Sequence, residues 1–216
     1  MQDLIQLLES NPYPGRGIVV GTSADGQPTV FYWIMGRSAN SRNRIFSTTD
    51  DGIRTEAHDP SAVEDPSLII YHPVRTMGSS LVVTNGDQTD TIVEAGEMRA
   101  ACMTREFEPD APNFTPRISC VLADDGSFEL SILKRAADGS CLREFFCYEG
   151  APAGEGYLLT TYEGDGDPLP SFSGEPVHVS MPAAAAAWAA LNAENKVSMY
   201  AKVGDEVTLF NKHLGD

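Results

Sequence analysis

The side chains able to do chemistry sit in four polar stretches that interrupt apolar, strand-like runs. The first is Gly36-Arg37-Ser38-Ala39-Asn40-Ser41-Arg42-Asn43-Arg44, directly after the apolar run ending at Met35. It packs three arginines into eight residues, interleaved with Ser and Asn donors. That mix suits a phosphate, each charge-assisted hydrogen bond being worth about 1.5–3 kcal/mol. The competing reading is an exposed basic loop paired with an acidic surface; the anion site is favoured because sites concentrate in loops at strand ends. The second stretch is Thr84-Asn85-Gly86-Asp87-Gln88-Thr89-Asp90. Asn-Gly ordinarily turns a hairpin, but a helix is expected to follow, so Asp87 or Thr89 serves equally well as its N-cap. The third covers residues 104–117, where Pro109, Pro112 and Pro116 stiffen a segment carrying Glu108, Asp110, Asn113 and Arg117. A rigid loop of this kind suits a preorganised site, and equally a well-capped surface crossing. The fourth, Tyr162-Glu163-Gly164-Asp165-Gly166-Asp167-Pro168, alternates Gly with Asp but lacks the remainder of an EF-hand and reads as a flexible loop.

Charge narrows the partners. The 216 residues carry 15 basic and 31 acidic side chains, a formal net charge of −16. Such a field repels polyphosphate backbones and anionic membranes, so neither nucleic acid nor a membrane surface is an expected partner. Every basic residue before Lys134 is an arginine, the planar fork that grips phosphate and carboxylate. Codon usage accounts for the shortage of lysine as a whole, but not for the clustering at 37–44. The four histidines (His58, His72, His178, His213) are isolated and the four cysteines (Cys102, Cys120, Cys141, Cys147) form no CxxC, which argues against zinc and for reduced thiols in a cytoplasm. There is no P-loop, GxGxxG or GxSxG. No apolar run is long enough for a membrane span, and the acidic start is unlike a signal peptide.

The elements that must hold these stretches are mostly strands. Residues 2–9 are expected as a short amphipathic helix, stopped by Asn11-Pro12-Tyr13-Pro14-Gly15. Strands are expected at 17–22 and 29–35 as a hairpin, then at 44–47, 68–72 and 81–84. Residues 87–102 are the best interior helix. Further strands are expected at 117–122, 128–133, 143–148 and 157–162. An alanine-rich helix then follows with Pro182 in its first turn, and strands at 197–202 and 206–210 close the chain. Two groups of strands with few helices imply an α+β fold of stacked sheets with helices outside, an all-β fold being the alternative. No internal repeat or linker divides the chain, so residues 1–216 are expected to form a single domain.

Set in order, Gly15-Arg16-Gly17, Arg37-Ser38 with Asn43-Arg44, Tyr71 with Val74-Arg75, Asn85-Gly86 with Thr89-Asp90, and Glu108-x-Asp110-x-x-Asn113-x-Thr115-Pro116-Arg117-Ile118 resemble the archaeal-type IMP cyclohydrolase family. The resemblance runs from about residue 12 to residue 172 and fades over the alanine-rich end. It implies a four-layer αββα sandwich like that of the N-terminal nucleophile hydrolases, here without their nucleophile, since the chain begins Met1-Gln2. The implied activity is dehydrative ring closure of 5-formamidoimidazole-4-carboxamide ribotide to IMP, with a small phosphorylated nucleotide as partner and no cofactor or metal. On this resemblance Glu108 transfers protons with Tyr71 as donor or orienter, and Arg16 and Arg37 stabilise the oxyanion. Arginines of the 37–44 stretch, Arg42 and Arg44 among them, take the 5′-phosphate. Asn85, Asp90 and Asn113 hold base or ribose, and Ser38, Ser41, Gly86, Asp87, Thr89 and Arg117 complete the substrate-binding set. The competing expectations are a non-catalytic purine-nucleotide sensor and an amidohydrolase of the N-terminal nucleophile class. The sequence sets no oligomeric state; a homo-oligomer is compatible with it.

Overall fold

A computed structural model of the chain describes residues 1–63 and 70–215. The N-terminal hairpin explains the architecture. Strands β1 (Gly17–Thr22) and β2 (Pro28–Met35) pair antiparallel, Val20 opposite Val30 and Ile18 opposite Tyr32. Because successive side chains point to opposite faces, Ile18, Val20, Val30, Tyr32 and Ile34 enter one apolar cluster, while Val19, Phe31, Trp33 and Met35 enter another. A hairpin apolar on both faces must be covered on both.

It lies within a six-stranded sheet ordered β11-β10-β1-β2-β12-β13, built from β10 (Glu155–Thr160), β11 (Val177–Ser180), β12 (Lys196–Val203) and β13 (Glu206–Asn211) around it. A second, seven-stranded sheet runs β3-β4-β5-β6-β7-β8-β9 in chain order. Its strands are β3 (Arg44–Thr49), β4 (Gly52–Ala57), β5 (Val74–Met77), β6 (Ser80–Thr84), β7 (Arg117–Leu122), β8 (Phe128–Arg135) and β9 (Cys141–Tyr148). All pairings in both sheets are antiparallel. Ile118, Cys120, Leu130 and Ile132 of the second sheet share the first cluster with Ile18 and Tyr32, so the sheets stack face to face.

Helices cover the outer faces. Leu4 and Leu8 of α1 (Leu4–Ser10) and Ala187 and Trp188 of α5 (Ala184–Ala190) pack on Phe31 and Trp33. Ile92 of α3 (Gln88–Ala95) and Met98, Ala101 and Cys102 of α4 (Met98–Met103) pack on Val82 and Leu133. The layers thus run helix, sheet, sheet, helix, and the α+β expectation holds over the all-β alternative. No described helix is long and apolar enough to cross a membrane.

Several expectations change. The helix expected over 87–102 is two helices: Gly96 caps α3 in the left-handed conformation (φ 70°), and Glu97 restarts the chain by accepting from the backbone N–H groups of Arg99 and Ala100. Pro182 lies before α5 rather than in its first turn, since Ala183 is the N-cap. The strand expected at 68–72 is not formed at 70–72, and residues 68 and 69 lie outside the described residues. Strands β4, β5 and β11 were not expected: β4, for instance, buries only Ile53 and Thr55, too few for an apolar alternation to be seen.

Candidate functional site

The first three polar stretches converge on one cavity of about 250 Å³. Arg16, Ser38, Asn40, Ser41, Arg44, Tyr71, Asn85, Gly86, Asp87, Glu108, Asp110 and Thr115 line it.

Its cationic wall begins at a short helix inside the first stretch, α2 (Ala39–Arg42). Ser38 and Ser41 form a reciprocal capping box: the Ser38 hydroxyl accepts from the Ser41 N–H at 3.1 Å, and the Ser41 hydroxyl from the Ser38 N–H at 3.0 Å. This single turn aims the three arginines apart. Arg44 goes inward, fully buried, with Nε donating to the Ser41 carbonyl at 2.9 Å. Its Nη1 and Nη2 are buried without a hydrogen-bond partner among the described residues, as is Nε of Arg16. Burial, and then the neighbouring Arg16, push the Arg44 pKa below the usual arginine value. For Arg16, burial works in the same direction but is outweighed by the oxygens of Tyr13, Tyr162, Tyr71 and Tyr32, so its pKa is raised. Neither guanidinium forms an ion pair among the described residues, so the two give this wall of the cavity a positive charge suited to an anion.

Arg16 is placed by Gly15, whose φ of 74° is unfavourable for other residues and whose α-carbon has no room for a side chain: a Cβ there would fall 2.2 Å from Thr161 Oγ1. Across the cavity, Tyr71 is pinned to β4: its N–H donates to Thr55 Oγ1 and its carbonyl accepts from the Thr55 N–H, both at 2.9 Å.

The acidic wall comes from the second and third stretches, joined by Asn85. Its amide donates to the Pro116 carbonyl at 2.9 Å, and its oxygen accepts from the Ile118 N–H at 2.8 Å. The Asn85-Gly86 pair therefore opens α3 instead of closing a hairpin. Asp87 occupies the N-cap position of α3 without capping it, because its carboxylate faces Arg117 at 2.7 Å and Arg105. Burial alone would raise the Asp87 pKa, but the Arg105 hydrogen bond and the Arg117 charge bring it below the usual value. Glu108, with 19% of its side chain exposed, meets Arg117 Nη1 at 2.9 Å. There burial prevails over Arg117 and Arg16, helped by the like charges of Asp87 and Asp110, and the Glu108 pKa is raised. A carboxyl held this way exchanges protons closer to neutrality, as a general acid or base requires.

Asp110 accepts at both oxygens from Thr115, from its N–H at 2.6 Å and its hydroxyl at 2.5 Å. The same threonine hydroxyl lies 2.5 Å from that of Tyr162. Asn40, Asp110 and Thr115 line the cavity as well, although the sequence placed them in the first and third stretches without assigning them a role. The signal available for Asp110 and Thr115 was their place in the proline-rich stretch with Glu108.

Other expected residues lie elsewhere. Arg37 is on the rim, its guanidinium 2.7 Å from Asp165 and 5.1 Å from the Tyr13 ring centroid. Arg42 turns outward to Gly36 and Asn195. Thr89 is buried against Thr84 at 2.6 Å, and Asp90 pairs with Arg75 at 3.0 Å. Asn113 accepts from the Leu169 N–H at 3.1 Å and so braces the loop beyond the site. Arg117 stands behind the acidic wall. The 162–168 stretch, expected as a flexible loop, is tied to Arg37 through Asp165 and the Gly166 carbonyl.

The family model described as IMP cyclohydrolase-like protein matches residues 13–208, beyond the limit near residue 172 set by the motifs. The chain is 27% identical to the IMP cyclohydrolase of Methanococcus aeolicus, covering 70% of this chain and 74% of the relative. It is 31% identical to that of Methanopyrus kandleri, covering 69% and 75% respectively. It is also 31% identical to that of Halobacterium salinarum, covering 71% and 74%.

Proposed function

Since the chain belongs to the IMP cyclohydrolase-like family, we propose that its cavity closes the pyrimidine ring of 5-formamidoimidazole-4-carboxamide ribotide to give IMP and water. The observation that carries this reading is the pairing, in one cavity, of two guanidinium groups whose buried nitrogens Arg16 Nε and Arg44 Nη1 and Nη2 have no partner among the described residues with a carboxyl of raised pKa. A nucleoside monophosphate presents the complement: an anionic end and a neutral heterocycle with exchangeable protons.

Arg44, with the Ser38 and Ser41 hydroxyls, takes the 5′-phosphate. That remote binding energy is spent on orientation. An amide nitrogen is a weak nucleophile, so pressing the carboxamide against the formyl group matters most, and proximity supplies up to about 7–11 kcal/mol. The carboxamide nitrogen attacks the formyl carbon, and its proton passes to Glu108. Negative charge grows on the former formyl oxygen, where Arg16 and the Tyr71 hydroxyl receive it. Glu108 returns that proton to the oxygen, giving a hydroxyl; the former formamide nitrogen then gives up its own proton, which joins the hydroxyl so that it leaves as water, and the lone pair left on that nitrogen completes the C=N bond. Arg117 and Asp87 orient Glu108, Asn85 and Gly86 shape the heterocycle's seat, and Arg37, from the rim, joins the phosphate or oxyanion after releasing Asp165. Arg42, Thr89, Asp90 and Asn113 act at one remove, bracing the loops that bear the cavity. No cofactor or metal takes part.

The layer order supports a relationship to the N-terminal nucleophile hydrolases and a single domain. Four unpaired cysteines support a reducing, cytoplasmic setting. The test is direct: purified protein is incubated with the formamido nucleotide and IMP is followed by absorbance and chromatography. IMP formed at an enzyme-dependent rate is expected; nucleotide binding without turnover would replace the enzyme by a sensor.

A further inference from the structure

Tyr32 is one of the largest side chains with no exposed surface, yet it carries a hydroxyl. That hydroxyl lies 2.8 Å from the hydroxyl of Tyr71, its one hydrogen-bond partner among the described residues. Geometry alone lets either oxygen donate. The surroundings decide which one does. The Tyr32 hydroxyl has no other hydrogen-bond partner among the described residues, and the guanidinium groups of Arg16 and Arg44, whose charge also acts on it, have no lone pair to offer a hydrogen. Tyr71 Oη is therefore the acceptor available to the Tyr32 hydrogen. The reverse arrangement would leave a buried donor unsatisfied and point it at two cations.

We propose that Tyr32 is a positioning residue: its hydroxyl donates to Tyr71 and leaves the Tyr71 hydrogen free to point into the cavity. Tyr71 lines that cavity and is 7% exposed, so its hydrogen is directed at bound substrate. Two features make the arrangement stiff. Tyr32 sits mid-strand in β2, in register with Ile18 on one side and Tyr200 on the other, with its ring stacked on Phe46 at 5.8 Å. Tyr71 is clamped to Thr55 by backbone and side-chain hydrogen bonds. Burial first, and then Tyr71, raise the Tyr32 pKa well above the usual tyrosine value, so Tyr32 keeps the hydrogen it donates. A phenol that accepts one hydrogen bond donates its own more strongly, which suits a group meeting a growing oxyanion.

The inference rests on the reading of Tyr71 as the donor in ring closure. Steady-state kinetics on Tyr32→Phe, Tyr71→Phe and the double variant test it, with Tyr200→Phe as a control that removes a hydroxyl directly across the sheet. Phe keeps the ring and its packing. Tyr32→Phe is expected to lower kcat on the order of tenfold with KM unchanged, and the double variant to match Tyr71→Phe. Wild-type kcat in Tyr32→Phe, or an additional full loss on top of Tyr71→Phe, overturns the proposal. Hydroxyl-proton NMR on the unaltered protein is independent of turnover and of the variants' folding. A Tyr32 hydroxyl hydrogen directed at Tyr71 is expected; a Tyr71 hydrogen directed at Tyr32 refutes it. Absence of IMP formation by the wild type would instead sink the cyclohydrolase reading, with the NMR result still deciding the direction of the bond.

Discussion

Arg117 and Glu108 meet at 2.9 Å with nearly all of the arginine side chain out of water, yet the pair does not behave as a simple salt bridge. Arg117 also binds Asp87 and the Gln88 side-chain oxygen, each at 2.7 Å, and the Glu106 carbonyl at 2.8 Å. Its charge is shared, so the attraction left for Glu108 does not overcome the cost of burying that carboxyl. The arginine fixes where Glu108 stands while its protonation stays open, which is the combination proton transfer needs.

Glu108→Gln keeps the shape and the Arg117 contact but removes the proton carrier. Turnover is expected to fall by about 10²–10⁴-fold, with IMP still binding by calorimetry. Unchanged kcat would take Glu108 out of the mechanism.

The raised Glu108 pKa also has a stability signature. Between the unfolded value, about 4.3, and the higher folded value, the folded protein holds more protons than the unfolded one. The contribution of Glu108 to stability is therefore complete below the unfolded value and is lost as pH rises through the folded value. Thermal melts of the wild type and Glu108→Gln are expected to show the wild type losing ground to the variant as pH rises. A difference independent of pH would contradict the shift. Asp87, with a lowered pKa, has the opposite sign: Asp87→Asn costs stability above the unfolded value, and that cost vanishes as pH falls through the folded value.

Arg44→Met separates folding from binding. Removing a buried charge whose terminal nitrogens have no partner among the described residues leaves the ligand-free melting temperature unchanged or higher. Losing its charge-assisted bonds weakens IMP binding by at least about tenfold. Arg37→Ala, on the half-exposed rim, is expected to weaken binding less. The check is a melt with and without IMP; a large fall in stability without ligand would mean that Arg44 serves the core.

Gly86→Ala would put a Cβ 2.6 Å from Arg117 Nη1 and 3.0 Å from Glu108 Oε1. The pair must shift, so we expect a loss of about 1–3 kcal/mol in denaturant unfolding together with lost turnover. Wild-type kinetics would show that the acidic wall tolerates displacement.

Much of the scaffold was legible because its residues carry a local pattern. The β1–β2 hairpin has two largely apolar strands divided by a turn at Ala24-Asp25-Gly26, and its strands were expected almost to the residue. Strand β4 was not legible, because Ile53 and Thr55 alone face inward. The helix over 87–102 was drawn as one piece since Gly96 costs only about 1 kcal/mol within a helix, and its left-handed cap is seen only in the fold.

For the site, residue type and grouping by stretch marked Arg44 and Glu108, whereas Arg16 and Tyr71, outside those stretches, were marked only by the family resemblance. Which arginine of 37–44 turns inward depended on one turn of helix closed by Ser38 and Ser41, and on which side of it the core lies. The sequence by itself determined the α+β character, the acidic surface and the stock of phosphate-binding and proton-bearing groups, because these depend on composition and on neighbours along the chain. Only the tertiary structure decided that Arg44 is buried beside Arg16, that Arg37 faces Asp165, and that Tyr32 reaches Tyr71. Those relations join residues far apart in the chain. Burial, shared charge and the direction of a hydrogen bond arise only once two sheets have brought such residues into contact.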